Sequence, residues 1–346
     1  MRILHLAHDL AWGGVQRYLV DTLPELKRRH HAVMLVLVTG GGPLMEPLME
    51  SGVLVRAVPL LTRWRGWTWT RGAGWAELTA TARQFGPDVI HTHLAWGHAA
   101  GVWLQRSLSP RPVWVATLHG RMDRPLHRWL TGRARPGVAL WHCVSDVVPP
   151  PGGVAWVRIP PGIPAAVGDA HRRPEPTVGV VSRLVADKRV DLVVRAVPHL
   201  PPDFRVAVVG DGPAAATWKT LARRLGVADR VSWLGAVDAR TVYPTWHALA
   251  APSASEGFGM AVGEALRYGL PVVASAIPAH ASWRDAHPDR IRLAAPDPAV
   301  WATALWQTLA RVPAAQPVSN LPTPAQHAAR LESVYRALWH RPAPCP

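Results

Sequence analysis

Cysteine is almost missing from this chain. Its 346 residues hold two, Cys143 and Cys345, too far apart for a metal or disulfide spacing, which excludes a disulfide-stapled scaffold and suits a reducing cytoplasm. Lysine is as scarce. Of 38 basic residues only Lys27, Lys188 and Lys219 are lysine and 35 are arginine, so the net charge of +15 reads partly as compositional bias and only partly as a partner-seeking surface. Long apolar runs are absent as well: the opening MRILHLAHDL is too short for a signal peptide, and no later run approaches the roughly 20 residues that span a bilayer. The G-x-G-x-x-G spacing of dinucleotide sites is missing, and no acidic residue follows a second strand where a ribose would need one.

What is present is length and alternation. A chain of this size exceeds one ordinary hydrophobic core, so two domains of about 150 to 170 residues are expected. Apolar strand-like runs at 2–7, 32–38, 53–58, 88–93, 113–119 and 139–144 alternate with helix-like stretches, and the pattern restarts at 177–182, 204–209, 231–234 and 272–274. Such alternation predicts parallel sheets whose ligands collect beyond the carboxyl ends of the strands. Segments rich in Pro and Gly at 149–153 and 165–176 place the domain boundary near residue 160. A proline-rich stretch, 313–324, then precedes a last helix from Ala325 to about Trp339.

The most informative stretch runs from Pro252 to Ser275, PSASEGFGMAVGEALRYGLPVVAS. Glu256 stands before Gly257-Phe258-Gly259, where two glycines let the backbone approach a ligand and a helix is expected to start. Glu264 follows eight positions later, an offset of at most about 12 Å along a helix axis, roughly the span of a sugar diphosphate. Free N–H groups at the helix start favour a phosphate, and flanking carboxylates accept hydrogen bonds from hydroxyls. An anion in the middle with polyols at both ends describes a nucleotide sugar. On spacing alone a simpler reading stays open, in which Glu256 is a first-turn charge and Glu264 a solvated helix residue.

Other elements carry weaker signals of the same chemistry. Gly13-Gly14 lies between the first strand and the first helix. Arg183 and Lys188 flank a loop between a strand and a helix start, where both could reach an anion, and Gly210-Asp211-Gly212-Pro213 forms a later strand-end turn. His91, His93 and His119 stand at strand ends. The first two point to one side of a strand and could pair on a metal, but no further ligand cluster accompanies them, so strand-end hydrogen bonding is the expected role. Arg and Trp alternate through residues 62–71 and recur in Arg121, Arg124, Arg128, Trp129, Arg133 and Arg135. Such segments suit an acceptor or membrane-facing surface, or simply a solvated face. Residues 1–173 carry 20 basic against 10 acidic side chains, and residues 174–346 carry 18 against 13. The first half is therefore the more electropositive.

Taken in order, G-G, T-x-H-G, V-S-R-L-x-x-x-K, G-D-G-P and E-x7-E resemble the retaining glycosyltransferases of the GT-B fold, most closely glycosyltransferase family 4. The resemblance implies an α/β architecture of two Rossmann-like doubly wound parallel-sheet domains facing across a cleft that closes on the substrates. It implies that His119 and Glu256 serve the donor sugar catalytically. Gly13, Gly14, Arg183, Lys188, Gly257, Phe258, Gly259 and Glu264 would bind the rest of the donor, Glu264 at its ribose. Arg189 stands where the family often has Gly, Pro161 where it has Asn, and Ile277-Pro278-Ala279-His280 where it commonly has G-G followed by Glu.

These readings give an N-terminal acceptor-side domain at 1–160, a nucleotide-sugar domain at 161–320 and a helix at 321–346 packing back on the first domain. The expected reaction moves a sugar from a nucleotide diphosphate to a hydroxyl acceptor, in surface polysaccharide or glycolipid synthesis. No cofactor is expected, nor a metal, since no Asp-x-Asp pair occurs. The expected location is cytoplasmic, with peripheral contact to an anionic membrane at the inner face. A sugar-nucleotide epimerase of the same fold and a basic nucleic-acid-binding protein are the rival readings, and nucleic acid is the less expected partner.

Overall fold

The computed structural model describes residues 1–64, 67–70, 72–120, 125–148, 152–310 and 316–340. The chain divides into two compact units, Met1–Gly162 with Pro322–Pro346, and Ile163–Leu321.

The first unit follows an α/β order: β1 (Arg2–Ala7), α1 (Gly14–Arg28), β2 (Ala32–Leu37), α2 (Met45–Glu50), β3 (Leu54–Ala57), β4 (Leu61–Trp64), β5 (Trp67–Thr70), α3 (Gly72–Phe85), β6 (Val89–His93), α4 (Leu94–Ser107), β7 (Val113–Leu118), α5 (Pro125–Ala134), β8 (Leu140–Cys143) and β9 (Trp156–Arg158). β1, β2 and β6 are buried along nearly their whole length, as strands covered on both faces must be. The sheet order is β3-β2-β1-β6-β7-β8-β9, every pair parallel. Strand order reverses at β1 and β6, which makes their carboxyl ends the ligand-binding crevice of such a sheet.

The second unit contains β10 (Thr177–Val181), α6 (Val190–Ala196), β11 (Arg205–Val209), α7 (Ala215–Arg224), β12 (Val231–Gly235), β13 (Ala248–Ala251), α8 (Met260–Arg267), β14 (Val272–Ser275), α9 (Pro278–Ala286), β15 (Ile291–Ala294) and α10 (Pro298–Ala310). Its parallel sheet runs β12-β11-β10-β13-β14-β15, with the reversal at β10 and β13. Val178, Val180, Val206, Val208 and Trp301 pack in one apolar cluster. Ala207, Val209, Trp246, Leu249, Val262 and Leu266 pack in another. The alternation along β11 sends successive side chains to opposite faces of the sheet.

The last helix, α11 (Pro324–Trp339), starts on a reciprocal capping box between Thr323 and Gln326 with Pro324 in the first turn, an arrangement that satisfies two orphan donors. Its Ala328, Leu331 and Tyr335 enter the first unit's core with Ile3, Leu19 and Leu23. Glu332 on the same helix pairs with Arg29 and Arg336.

The fold differs from the sequence reading at β4 and β5, β9, β13 and β15. β13, Ala-Leu-Ala-Ala, has too little β-branched character to be read as a strand, and β15 carries Arg292 in its middle. Residues 62–71, read as an Arg/Trp connection, contribute the antiparallel pair β4 and β5. The side chains of residues 62–71, and Arg121 and Arg124 of the second basic cluster, lie outside the described residues.

Candidate functional site

In the second unit the side chains of interest follow β10 and β13, the two strands at the reversal. After β10 the chain turns through Ser182–Val185 into a short helical turn holding Asp187 and Lys188. This loop is fixed from two sides. Leu184 N donates to the Asp211 carbonyl at 2.8 Å and Ala254 N to the Asp187 carbonyl at 2.8 Å. Gly210, at φ +130°, lies so close to the loop that a Cβ there would stand 1.8 Å from the Ser182 carbonyl oxygen. The G-D-G-P turn therefore supports the basic loop by close backbone approach, which only glycine permits.

After β13 the turn 252–259 leads to α8. Lys188 Nζ donates to Glu256 Oε1 at 2.7 Å and to the Ser255 carbonyl at 3.3 Å, while Ser253 Oγ donates to the same carboxylate oxygen at 2.8 Å. Ser255 Oγ donates to Asp187 Oδ2 at 3.0 Å. Lysine and carboxylate are both mostly buried, with 15% and 25% of their side chains exposed. Arg183, in contrast, is exposed and makes no ion pair among the described residues.

Gly259, at φ +85°, is the N-cap of α8 and supplies no side-chain cap, so no side chain competes for the first-turn N–H groups of the helix, of which Val262 N already donates to the Gly259 carbonyl at 3.0 Å. The helix begins at Met260, after the G-F-G run. Trp283 Nε1 donates to the Phe258 carbonyl at 2.6 Å and its ring meets Phe258 edge-on at 5.1 Å. His280 Nδ1 donates to the Ser275 carbonyl. Burial holds its pKa below the ordinary value even though Glu256 nearby pulls it up. Glu264 is not a solvated helix residue: it is buried, and Tyr243, itself fully buried, donates its hydroxyl to Glu264 Oε2 at 2.8 Å.

Arg189 explains why a glycine suits its position. It sits at φ +48° as the residue before α6, in the left-handed region that L side chains occupy at a cost, and its guanidinium pairs with Asp191.

In the first unit Gly13 and Gly14 begin α1, which has no side-chain cap and no acidic residue in its first turn. Asp9 holds the preceding loop by accepting from Ala11 N and Gln16 Nε2. His119 follows β7 and is half-buried. It stands at the end of a histidine chain, with His93 Nδ1 at 3.0 Å from His119 Nε2 and His5 Nδ1 at 3.0 Å from His93 Nε2. Burial first, then neighbouring histidines, hold His91, His93 and His119 well below the ordinary histidine pKa.

Here the sequence reading needs correction. His91 and His93 do have a third histidine beside them, because parallel pairing of β1 with β6 sets His5 opposite His91. One ring nitrogen from each of His5, His91 and His93 lies within 4.8 Å of the others. Both nitrogens of His91 are nevertheless engaged, Nδ1 with the Tyr335 hydroxyl and Nε2 with Thr117 Oγ1. Cation binding would have to displace one of these bonds and bury a divalent charge among neutral rings with no carboxylate in the set. His5, Tyr18, Ser253, Tyr243, His280 and Trp283 were missed from sequence. His5 is placed by strand register, Ser253 and Tyr243 by turns, Tyr18 by α1, and His280 and Trp283 by α9; each meets its partners only through tertiary packing, which no local motif carries.

Family models match both units. "Glycosyltransferase Family 4" covers residues 12–149 and "Glycosyl transferases group 1" covers residues 175–311. Among solved structures, Anabaena HepE in complex with UDP and glucose superposes with a TM-score of 0.80 at 19% identity, over 98% of this chain and 100% of that one. Sucrose-phosphate synthase of Thermosynechococcus elongatus gives 0.76 at 18%, over 98% and 99%. At these identities the likeness concerns the fold, and it defines the class: two parallel-sheet α/β units of the GT-B type. With one family model on each unit, the chain belongs to glycosyltransferase family 4.

Curated relatives match more locally. A phosphatidylinositol N-acetylglucosaminyltransferase subunit of Arabidopsis thaliana is 33% identical over 148 residues, 41% of this chain and 32% of that protein. The GDP-mannose-dependent alpha-(1-6)-phosphatidylinositol monomannoside mannosyltransferase of Mycolicibacterium smegmatis is 37% identical over 113 residues, 29% of each. The match thus spans about a third of the relatives' length.

Proposed function

We propose that this chain is a retaining glycosyltransferase that moves a sugar from a nucleotide diphosphate to a hydroxyl acceptor, without a metal. The observation that carries the reading is the convergence of Lys188, Glu256 and Ser253 beside the start of α8, at the strand reversal of the second unit. There Arg183, Lys188 and the helix N–H groups supply positive potential for a diphosphate, and carboxylates flank it. In the reaction the bond from the sugar C1 to the diphosphate oxygen breaks, a bond from C1 to the acceptor oxygen forms, and the acceptor proton passes to the departing phosphate. The barrier is charge separation, and the two cations lower it by holding the leaving group. Glu264, fixed by Tyr243, is read as the ribose ligand. Glu256 and His119 are read as ligands of the donor sugar.

The acceptor is read as a glycolipid or polysaccharide precursor at an anionic membrane. Two relatives carry phosphatidylinositol in their names. On α5, Leu126 and Trp129 are 51% and 58% exposed beside the exposed Arg128 and Arg133, a combination suited to an interface. The location is accordingly read as the cytoplasmic face of a membrane. No helix among the described residues is long and apolar enough to cross one.

The test is incubation with UDP-, GDP- and ADP-sugars, with and without hydroxyl acceptors and EDTA, reading nucleotide release and the anomer formed. Glu256→Ala and Lys188→Ala are expected to abolish turnover with the fold intact, and full activity in either removes the site assignment. Epimerised free sugar formed without acceptor would point to the epimerase reading. Tight, salt-sensitive binding of DNA or RNA without turnover would point to the nucleic-acid reading.

A further inference from the structure

We infer that the chain His5–His93–His119 fixes His119 in the tautomer with its proton on Nδ1, so that its ring offers substrate a hydrogen-bond donor, with His93 as the positioning residue. In a neutral imidazole one nitrogen donates and the other accepts. Burial lowers His5 to about 3 and holds His93 and His119 far below their ordinary value, so all three rings are neutral at pH 7.

Two contacts of 3.0 Å link the rings, and the chain can be polarised in only two ways. The inner end decides between them. His5 Nε2 is fully buried and has no partner among the described residues. If the proton sat there, a buried N–H would be orphaned. If it sits on Nδ1, only an imine lone pair goes unused, and under-used acceptors are tolerated more often than orphaned donors. His5 Nδ1 then donates to His93 Nε2, His93 Nδ1 donates to His119 Nε2, and His119 carries its own proton on Nδ1.

The neighbouring rings are consistent with this protonation, because backbone carbonyls set their polarity. The Ile159 carbonyl takes the proton of His142 Nε2, so His142 Nδ1 accepts from Thr117 Oγ1, Thr117 accepts from His91 Nε2, and His91 Nδ1 accepts from Tyr335. The Pro160 carbonyl likewise takes the proton of His327 Nδ1, leaving Nε2 to accept from Tyr18. One proton per ring satisfies every one of these contacts without a charged histidine.

The test is long-range 1H–15N correlation on the free, histidine-labelled full chain. Nδ1–H patterns are expected for His5, His93 and His119, unchanged between pH 8 and 6. An Nε2–H or mixed pattern at His119 overturns the inference. So does uptake of one Co2+ per chain with ligand-field bands, which would demand the lone pairs that this chain consumes. A kinetic arm adds His93→Leu and His93→Gln. Loss of one hydrogen bond to the catalytic ring is expected to lower kcat about tenfold with donor KM little changed. The amide of Gln, which can both accept and donate, is expected to restore part of it. Equal loss in both variants overturns the positioning role. The kinetic arm rests on the glycosyltransferase reading and the spectroscopic arm does not, so failure of one is distinguishable from failure of the other.

Discussion

Replacing Glu256 by Gln separates binding of the leaving group from turnover. Lys188 is paired, at 2.7 Å, with the carboxylate assigned to the sugar. A diphosphate approaching the ammonium from its other side would stand about 6 Å from the carboxylate. At an effective dielectric near 20 that repulsion is about 3 kcal/mol, and with a quarter of the Glu256 side chain exposed screening reduces it to about half. Glu256→Gln keeps the shape, and its amide oxygen still accepts from Lys188 and Ser253, but the repulsion is gone. UDP, GDP or ADP, whichever base the site takes, is then expected to bind about tenfold tighter, since 1.4 kcal/mol is one decade. Turnover of the sugar nucleotide should fall at least a hundredfold, because an anionic ligand of the sugar is lost where the transition state gains positive charge. Isothermal titration with free diphosphates and initial rates with the sugar nucleotides read the two effects. Weaker diphosphate binding to Glu256→Gln would refute the reasoning, since it would mean that the carboxylate does not compete for Lys188.

Three further outcomes follow from the same geometry. Tyr243→Phe removes the hydroxyl that holds the buried Glu264, and should weaken nucleotide binding by about 1 to 2 kcal/mol. Preference for ribo- over 2′-deoxyribonucleotides should fall with it; a variant that binds both as the wild type does would free Glu264 from its assignment. Gly210→Ala places a methyl 1.8 Å from the Ser182 carbonyl in a backbone conformation reserved for glycine, so a loss of about 3 kcal/mol or more is expected by denaturant titration. Burial lowers His5, His98 and His327 to about 3 and His142 to about 4, so the unfolded chain takes up protons below about pH 6.5 while the folded one does not. That stability is fully present above pH 7 and is lost as pH falls toward 4, each ring costing up to about 2 kcal/mol by pH 5. Unfolding free energies that stay level from pH 7 to 5 would contradict the neutral cluster.

How legible the molecule was in its sequence depended on how local each signal is. Long apolar strands such as β1, β2 and β11 and the capped α11 announce themselves within a dozen residues, so the α/β class followed from alternation alone. β13 did not, because Ala-Leu-Ala-Ala becomes a strand only when β10 and β14 flank it, and tertiary context overrides propensity. The glycine run before α8 was readable because a helix start needs so few residue types. The bond from Lys188 to Glu256 joins residues 68 positions apart, and no spacing rule reaches that far. The histidines were seen one strand at a time. Only the register that sets His5 opposite His91 turned two strand-end side chains into a network.

The two candidate sites hold their polar groups in opposite ways, and the contrast bears on how each would work. In the second unit Lys188 and Glu256 are charged, partly exposed and paired with each other, so that a ligand would enter by exchanging one partner for another while backbone bonds at Leu184 and Ala254 keep the loops in place. Such a site is preformed and pays little ordering entropy on binding. In the first unit the groups are neutral and most are buried, and each of the outer contacts ends on a main-chain carbonyl or on another core ring. There, exchange would leave a donor or acceptor stranded in the core, which costs more than the bond gained. The first arrangement suits a leaving group whose charge changes during reaction. The second suits a fixed dipole, aimed before substrate arrives and unaltered by its departure. A single histidine at the rim, His119, is where the rigid network meets solvent, and the direction of its one proton is therefore set by the core behind it.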